Sequence, residues 1–193
     1  MRPLFAALCL SLLLGACEKA TAPVAFNNVD ITGATYAKDF SLTDHTGAKR
    51  TLADYRGKVV TVFFGFTQCP DVCPTTLNDM VEVKKRLGAQ GDRLQVLFIT
   101  VDPERDTQEV LAKYMALFDP SFVALYGTPE DVKTLAKDYK IAVQKVPGAT
   151  PTSYTINHST GTYVYDPQSQ VRLFVPHAAG VDGLVADVQR LLN

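Results

Sequence analysis

The sequence predicts an α/β fold in which a mixed sheet is flanked by helices. Two nearly continuous apolar runs, at 59–64 and 94–101, have the composition of strands that are buried on both faces. Segments with helical periodicity or a helix-start signal follow both runs. A strand pair and an amphipathic segment close the chain, so strands are expected to run in both directions within one domain.

The first 35 residues are predicted to lie outside this domain. Arg2 precedes an apolar run at 4–14 that is too short to span a bilayer, as in a signal peptide. Residues 14–17, Leu-Gly-Ala-Cys, resemble a bacterial lipobox, which implies removal of residues 1–16 and lipid on Cys17. An ordinary signal peptide with a nearby cysteine is the alternative. Residues 17–35 have the composition of a linker, and the folded domain is predicted over 36–193.

The domain is predicted to begin with a hairpin, a central strand and a helix. Residues 40–43 alternate as a half-buried strand does, and the turn at 44–47 precedes a second short strand. The first central strand is 59–64. A helix over 74–87 follows, because its apolar residues recur at helical spacing and Gly88 is a natural stop.

A second strand and helix follow in the same order. Residues 94–101 are the second central strand. Asp106 and Glu109 have the spacing of a capping box, so Asp106 is expected to cap a helix that ends near Phe118.

The last third of the chain is predicted to add four strands and two helices. Residues 122–125 form a short strand, and a helix over 129–139 has Pro at its first position. Residues 144–151 contain Pro and Gly and are predicted to be a loop. A helix over 180–192 follows the last three strands, at 153–157, 163–165 and 171–175.

Composition argues against nucleic-acid binding and limits the chemistry that the cysteines can perform. The formal net charge is −1 and no basic run stands out, so binding to nucleic acid is not expected. Cys9 would leave with the signal peptide and Cys17 is predicted to carry lipid. Cys69 and Cys73 can then pair only with each other or with a ligand, and an idle pair in an oxidising compartment tends to form a disulfide.

Cys69 and Cys73 lie where the first central strand gives way to a helix. Pro74 disfavours helical angles at Cys73, so both thiols are expected in the turn before the helix. There the helix dipole and unpaired N–H groups would favour thiolates, which bind metals and attack disulfides. Their three-residue separation is wider than the usual redox and zinc motifs. Thiolates select Cu(I), with zinc as the competitor.

Three histidines are candidates for a further ligand. His45 lies in the predicted turn, where a solvent-exposed role is expected, and His177 follows Pro176 at the end of a predicted strand. His158 lies at a bend between two predicted strands. From the residues alone, a surface turn is favoured for His158 over a ligand.

Three further segments of the sequence stand out: CPDVCPTTL at 69–77, VDPERDT at 101–107, and YTINHS at 154–159 leading into YVYDP at 163–167. Together they resemble the Sco/SenC copper-delivery family, which has a thioredoxin-like fold. The first segment is highly specific to that family, and the other two follow it in the family's order. The resemblance extends from about residue 40 to the C terminus.

The resemblance implies a thioredoxin-like mixed sheet with an N-terminal hairpin, and one copper ion bound by Cys69, Cys73 and His158. Cu(I) is expected, with Cu(II) as a second state. The family delivers copper to the dinuclear site of cytochrome c oxidase, or reduces the cysteines of that site. Asp102, at the end of the second central strand, is a candidate to contact the metal ligands without binding the metal itself.

The same resemblance implies a position in the cell envelope. A lipobox stands in place of the family's usual transmembrane helix, which implies a lipoprotein with its soluble domain in the periplasm. The expected partners are the copper-site subunit of cytochrome c oxidase, or another protein that donates or accepts copper.

Two other interpretations stay open. A thiol-disulfide oxidoreductase of the thioredoxin class fits the fold and the dithiol, so enzymatic activity is undecided. The cysteine spacing, the absence of Trp and the lack of proline in residues 159–162 argue against it, and the context of Cys69 does not match a peroxiredoxin. A binding module with a structural disulfide is least favoured, because closing so short a loop removes little chain entropy.

Overall fold

The computed structural model describes residues 25–150 and 153–193, and they form one layered α/β unit. Its helices are α1 (Val72–Arg86), α2 (Gln108–Met115), α3 (Pro129–Asp138) and α4 (Val181–Leu192). Its strands are β1 (Val29–Asp30), β2 (Ser41–Asp44), β3 (Lys49–Thr51), β4 (Val59–Gly65), β5 (Leu94–Thr100), β6 (Val123–Tyr126), β7 (Val143–Pro147), β8 (Tyr154–His158), β9 (Gly161–Tyr165) and β10 (Val171–Pro176).

Within the described residues, eight strands form one sheet in the order β1-β10-β9-β4-β5-β6-β2-β3. Strands β4, β5 and β6 are parallel, and β9 and β2 flank them in the antiparallel sense. The predicted mixed sheet and N-terminal hairpin are therefore confirmed. Gly65 pairs with Thr100, so β4 and β5 end together at one edge of the sheet.

The core lies on both faces of this sheet. All seven residues of β4 are buried, as expected of a strand covered on both sides. Helix α3 packs on the face that carries Val62 and Phe64. Helices α1, α2 and α4 pack on the opposite face, which carries Val59 and Phe63.

The predicted start of α1 is wrong by two residues. The helix begins at Val72 with Asp71 as its N-cap, so Cys73 lies inside the first turn and only Cys69 precedes the helix. Pro74 is tolerated because the first N–H groups of a helix have no partner within the helix.

The expected cap of α2 is also wrong. Thr107 is the N-cap, and its side chain accepts a hydrogen bond from the Val110 N–H at 3.3 Å. Asp106 is buried and bonds elsewhere. The helix ends at Met115, before the expected Phe118.

Residues 144–147 of the predicted loop are strand, within β7. Strand β7 pairs antiparallel with β8, with Val143 opposite His158 and Pro147 opposite Tyr154. We call β7 and β8 together the histidine hairpin. They form a two-stranded sheet that is separate from the eight-stranded one. The sequence pattern missed β7 because its residues are mostly exposed and lack apolar alternation.

The start of the described chain is fixed to the last helix. The buried carboxylate of Asp187 accepts hydrogen bonds from the backbone and side-chain N–H groups of Asn27 and Asn28, at 2.8–3.1 Å. Strand β1 pairs with β10 in the segment expected to be a linker. The predicted signal peptide and Cys17 lie outside the described residues. No helix in 25–150 or 153–193 has the length and apolarity needed to cross a bilayer.

Candidate metal centre

Both cysteines lie where the chain passes from β4 into α1. The segment 66–71, which we call the cysteine loop, begins where β4 ends. Cys69 is half-buried in this loop, its backbone N–H donating to the Phe66 carbonyl at 3.2 Å. Cys73 is fully buried in the first turn of α1, and both thiols are free.

The thiol of Cys73 lies against the backbone of Gly65. A Cβ atom added at Gly65 would lie 2.9 Å from Sγ of Cys73 and 2.7 Å from Cε2 of Phe98. Only glycine leaves room for the sulfur at this distance. The last residue of β4 therefore helps to determine where the thiol stands.

Burial shifts the pKa of the Cys73 thiol in the direction opposite to the one expected from the helix. Desolvation, followed by the hydrogen bond with the neighbouring thiol of Cys69, raises the pKa of Cys73 far above that of a free cysteine. The expectation that the helix N-terminus favours thiolate is therefore wrong for Cys73. Metal binding would still displace the proton, because the charge of the ion compensates for the buried thiolate.

His158 ends β8 beside the cysteine loop. Its ring centroid lies 6.0 Å from that of Phe66 and 6.5 Å from that of Phe63, with edge-on geometry. Nδ1–H donates to the Ser159 carbonyl at 2.9 Å, which leaves the lone pair of Nε2 free for a metal. Burial lowers the pKa of His158, so the ring is neutral at pH 7.

The described residues contain no group of three His, Cys, Asp or Glu side chains placed closely enough to hold a metal ion. The structure brings Cys69 and Cys73 together and places His158 against Phe66 of the same loop. Two thiols and a neutral imidazole are a donor set that suits Cu(I). Closing the set requires the cysteine loop and the histidine hairpin to approach each other.

Asp102 supports the histidine hairpin rather than the cysteines. This buried carboxylate accepts a hydrogen bond from the Tyr154 hydroxyl at 2.7 Å and another from Nε of Arg105. Tyr154 begins the strand that His158 ends. The other two histidines lie elsewhere: Nδ1 of His45 accepts from the Ala124 N–H at 3.1 Å, and His177 is exposed beyond β10.

Sequence analysis missed two residues that fix the cysteine loop. Asp106 accepts hydrogen bonds from the backbone N–H and hydroxyl of Thr67, at 3.0 and 2.5 Å, and from the Thr100 hydroxyl at 2.6 Å. Arg105 contacts Gln68 in the loop. Both belong to the segment VDPERDT, but only the tertiary structure shows which partners they take.

Comparison with known proteins identifies the family of the chain. The SCO1/SenC family model matches residues 29–193. The mouse mitochondrial SCO2 homolog is 36% identical over 154 residues, which are 79% of this chain and 60% of that protein. The chain therefore spans less than two thirds of this relative.

Two solved structures have the same fold. Bradyrhizobium japonicum ScoI with copper bound has a TM-score of 0.73 at 34% identity, and the match covers 80% of this chain and 98% of ScoI. Apo Sco1 from Thermus thermophilus has a TM-score of 0.77 at 36% identity, over 89% of this chain and all of Sco1. The predicted thioredoxin-like fold is confirmed. With the family model matched over nearly the whole described chain, this protein belongs to the SCO1/SenC family.

Proposed function

We propose that this chain carries one copper ion bound by Cys69, Cys73 and His158. The observation that carries the proposal is the position of His158, neutral and with Nε2 free, against Phe66 of the loop that holds Cys69. Copper bound to the related Sco protein of Bradyrhizobium japonicum supports the choice of metal.

The copper ion is the cargo, and the protein supplies its ligands. Cu(I) suits two thiolates and one imidazole, and Cu(II) is a second state that such a set can hold. Both thiols lose protons when the ion binds, so uptake releases protons. Burial raises the pKa of Cys73, so one of the released protons comes from this buried thiol.

The recipient we propose is the copper-site subunit of cytochrome c oxidase, with other copper-donating or copper-accepting proteins as further partners. Membership of the SCO1/SenC family supports this choice. The lipobox supports a lipid anchor at Cys17 that keeps the domain at a membrane, on its periplasmic side.

A thiol-disulfide oxidoreductase is the second candidate, and one observation favours it. Cys69 is partly exposed while Cys73 is buried, as in pairs of an attacking and a resolving thiol. The thiolate of Cys69 would attack a partner disulfide and release one partner thiol. Cys73 would then displace the second partner thiol, leaving a Cys69–Cys73 disulfide and a partner reduced by two electrons.

Copper stoichiometry tests the first proposal directly. The reduced full-length chain in mild detergent should bind one Cu(I), and the oxidised chain essentially none. Cys69→Ser should abolish tight binding, and His158→Ala should lower the affinity by about tenfold or more. His177→Ala is the matched control and should change nothing, because His177 is an exposed residue that follows β10.

Two outcomes would contradict the copper carrier. A reduced chain that binds no copper tightly but still reduces a disulfide substrate would make the protein a thiol oxidoreductase. If His158→Ala lowered Cu(I) affinity no more than His177→Ala, His158 would not be a copper ligand.

A further inference from the structure

Arg105 contacts both segments that bear the proposed ligands. Its Nη1–H groups donate to Oε1 of Gln68 at 3.0 Å and to the backbone carbonyl of Tyr154 at 2.9 Å. Its Nε–H donates to Asp102, and its side chain is only 19% exposed. Gln68 immediately precedes Cys69, and Tyr154 begins β8, so one guanidinium joins the cysteine loop to the histidine hairpin.

The ring of Tyr154 adds further contacts to this connection. The guanidinium carbon of Arg105 lies 3.6 Å from the ring centroid, and Nζ of Lys145, on the neighbouring strand β7, lies 3.8 Å from it. The Tyr154 hydroxyl donates to Asp102 at the same time. Cation–π contacts of this kind attract the two cationic side chains to the face of the ring.

The position of Tyr154 determines that of His158. Side chains alternate along a strand, so Tyr154, Ile156 and His158 share one face of β8. All three are half-buried or buried, whereas Thr155 and Asn157 between them are exposed. Fixing Tyr154 at one end of this face therefore limits where the imidazole can stand at the other end.

The histidine hairpin depends on such contacts because the large sheet does not hold it. Strands β7 and β8 pair only with each other within the described residues. Ile156 packs into the core, and Ser159 bonds Ala142 at the open end of the hairpin. Within the described residues, Arg105 donates a hydrogen bond to Tyr154 of β8 and also bonds the cysteine loop.

We propose that Arg105 is a positioning residue that sets the distance between the cysteine loop and the histidine hairpin, and so keeps His158 beside the loop that bears Cys69. The inference rests on the proposed copper function and adds a residue to it. Lysine cannot replace Arg105, because a single ammonium lacks the planar fork that bonds Asp102, Gln68 and Tyr154 at once.

The copper-free protein provides the first test. In the full-length chain, Arg105→Lys and Arg105→Gln should speed amide exchange in β8 by about tenfold or more, if local opening follows the loss of these bonds. The NMR signals of the His158 ring should shift as well. Arg172→Lys is the matched control, because Arg172 is a partly exposed arginine that bonds Asp166 and Thr32 on another part of the surface. Unchanged exchange and unchanged His158 signals in the Arg105 variants would overturn the proposal.

A double-mutant cycle tests whether Arg105 acts through His158. Arg105→Lys should lower Cu(I) affinity by about tenfold in the wild-type background, within the range seen for residues that support metal ligands. It should have almost no effect in the His158→Ala background. An equal loss in both backgrounds would show a general effect on folding and would overturn the proposal.

Gln68→Ala tests the same link in case the Arg105 variants fail to fold. It removes an exposed side chain and one bond to Arg105, so stability should be kept while His158 signals move in the same direction as in Arg105→Lys. No movement would contradict the link. If the wild-type chain bound no copper but the Arg105 variants still showed faster amide exchange in β8, only the copper function would be contradicted.

Discussion

Gly65 shows how a single missing side chain shapes the candidate site. It ends β4, and the space that a Cβ atom would take is filled by Sγ of Cys73 and by the ring of Phe98. The sulfur is therefore packed against main chain, which excludes water and raises the pKa of the thiol.

Gly65→Ala should displace this sulfur. The added methyl group would overlap Sγ of Cys73 and the Phe98 ring, so we expect a loss of about 1–3 kcal/mol in the free energy of unfolding, as in overpacked cores. Urea unfolding measures it. The cost should shrink in a Cys73→Ala background, where the sulfur is absent. The same cost in both backgrounds would show that the thiol is not what the methyl group meets.

Among the elements, the histidine hairpin lies outside the eight-stranded sheet. Its two strands form their own sheet, and β7 is exposed along most of its length. Elements with few buried contacts open at a low free-energy cost. His158 therefore stands on an element that can adjust to a bound ion, whereas Cys73 stands on a buried helix turn.

Copper should slow hydrogen exchange in this hairpin. Binding to Nε2 of His158 would tie β8 to the cysteine loop, so amides of Tyr154–His158 and of the paired strand Val143–Pro147 should exchange more slowly in the Cu(I) form. Exchange measured with and without copper provides the comparison. Cys73→Ser should show no such change, and slowing that persists in this variant would mean that copper binds somewhere else.

The stability of the whole molecule includes a buried carboxyl beside the candidate site. Burial raises the pKa of Asp106 above 3.8, although Thr67 and Thr100 donate hydrogen bonds to it. Between 3.8 and the folded-state pKa, the folded chain holds a proton that the unfolded chain has lost. The contribution of this group to stability therefore falls as the pH rises through that window.

Asp106→Asn should remove this part of the pH dependence. The free energy of unfolding of the copper-free variant should decline less than that of the wild type as the pH rises above 3.8, because no carboxyl is left to ionise. Urea unfolding at several pH values checks it, with the exposed Asp92→Asn as the control. An unchanged slope in Asp106→Asn would show that another group governs this range.

Local sequence patterns were sufficient to predict the main helices and strands. The apolar runs of β4 and β5, the helical spacing in α1 and Pro129 at the start of α3 each reflect forces that act within a few residues. Strand β7 was missed because its stability comes from pairing with β8 rather than from its own composition. The start of α1 was misplaced because Pro74 is compatible with the third helical position as well as with the first.

The sequence by itself determined the type of chemistry: two thiols after a buried strand, a histidine at a distant bend, and a family whose motifs connect them. Only the tertiary structure decided the state of these groups. Burial against Gly65, rather than the helix dipole, governs the thiol of Cys73, and Asp106 holds a loop instead of capping a helix. Arg105 joins segments far apart in the chain. Desolvation and long-range hydrogen bonds depend on neighbours that packing brings together, and no local pattern encodes them.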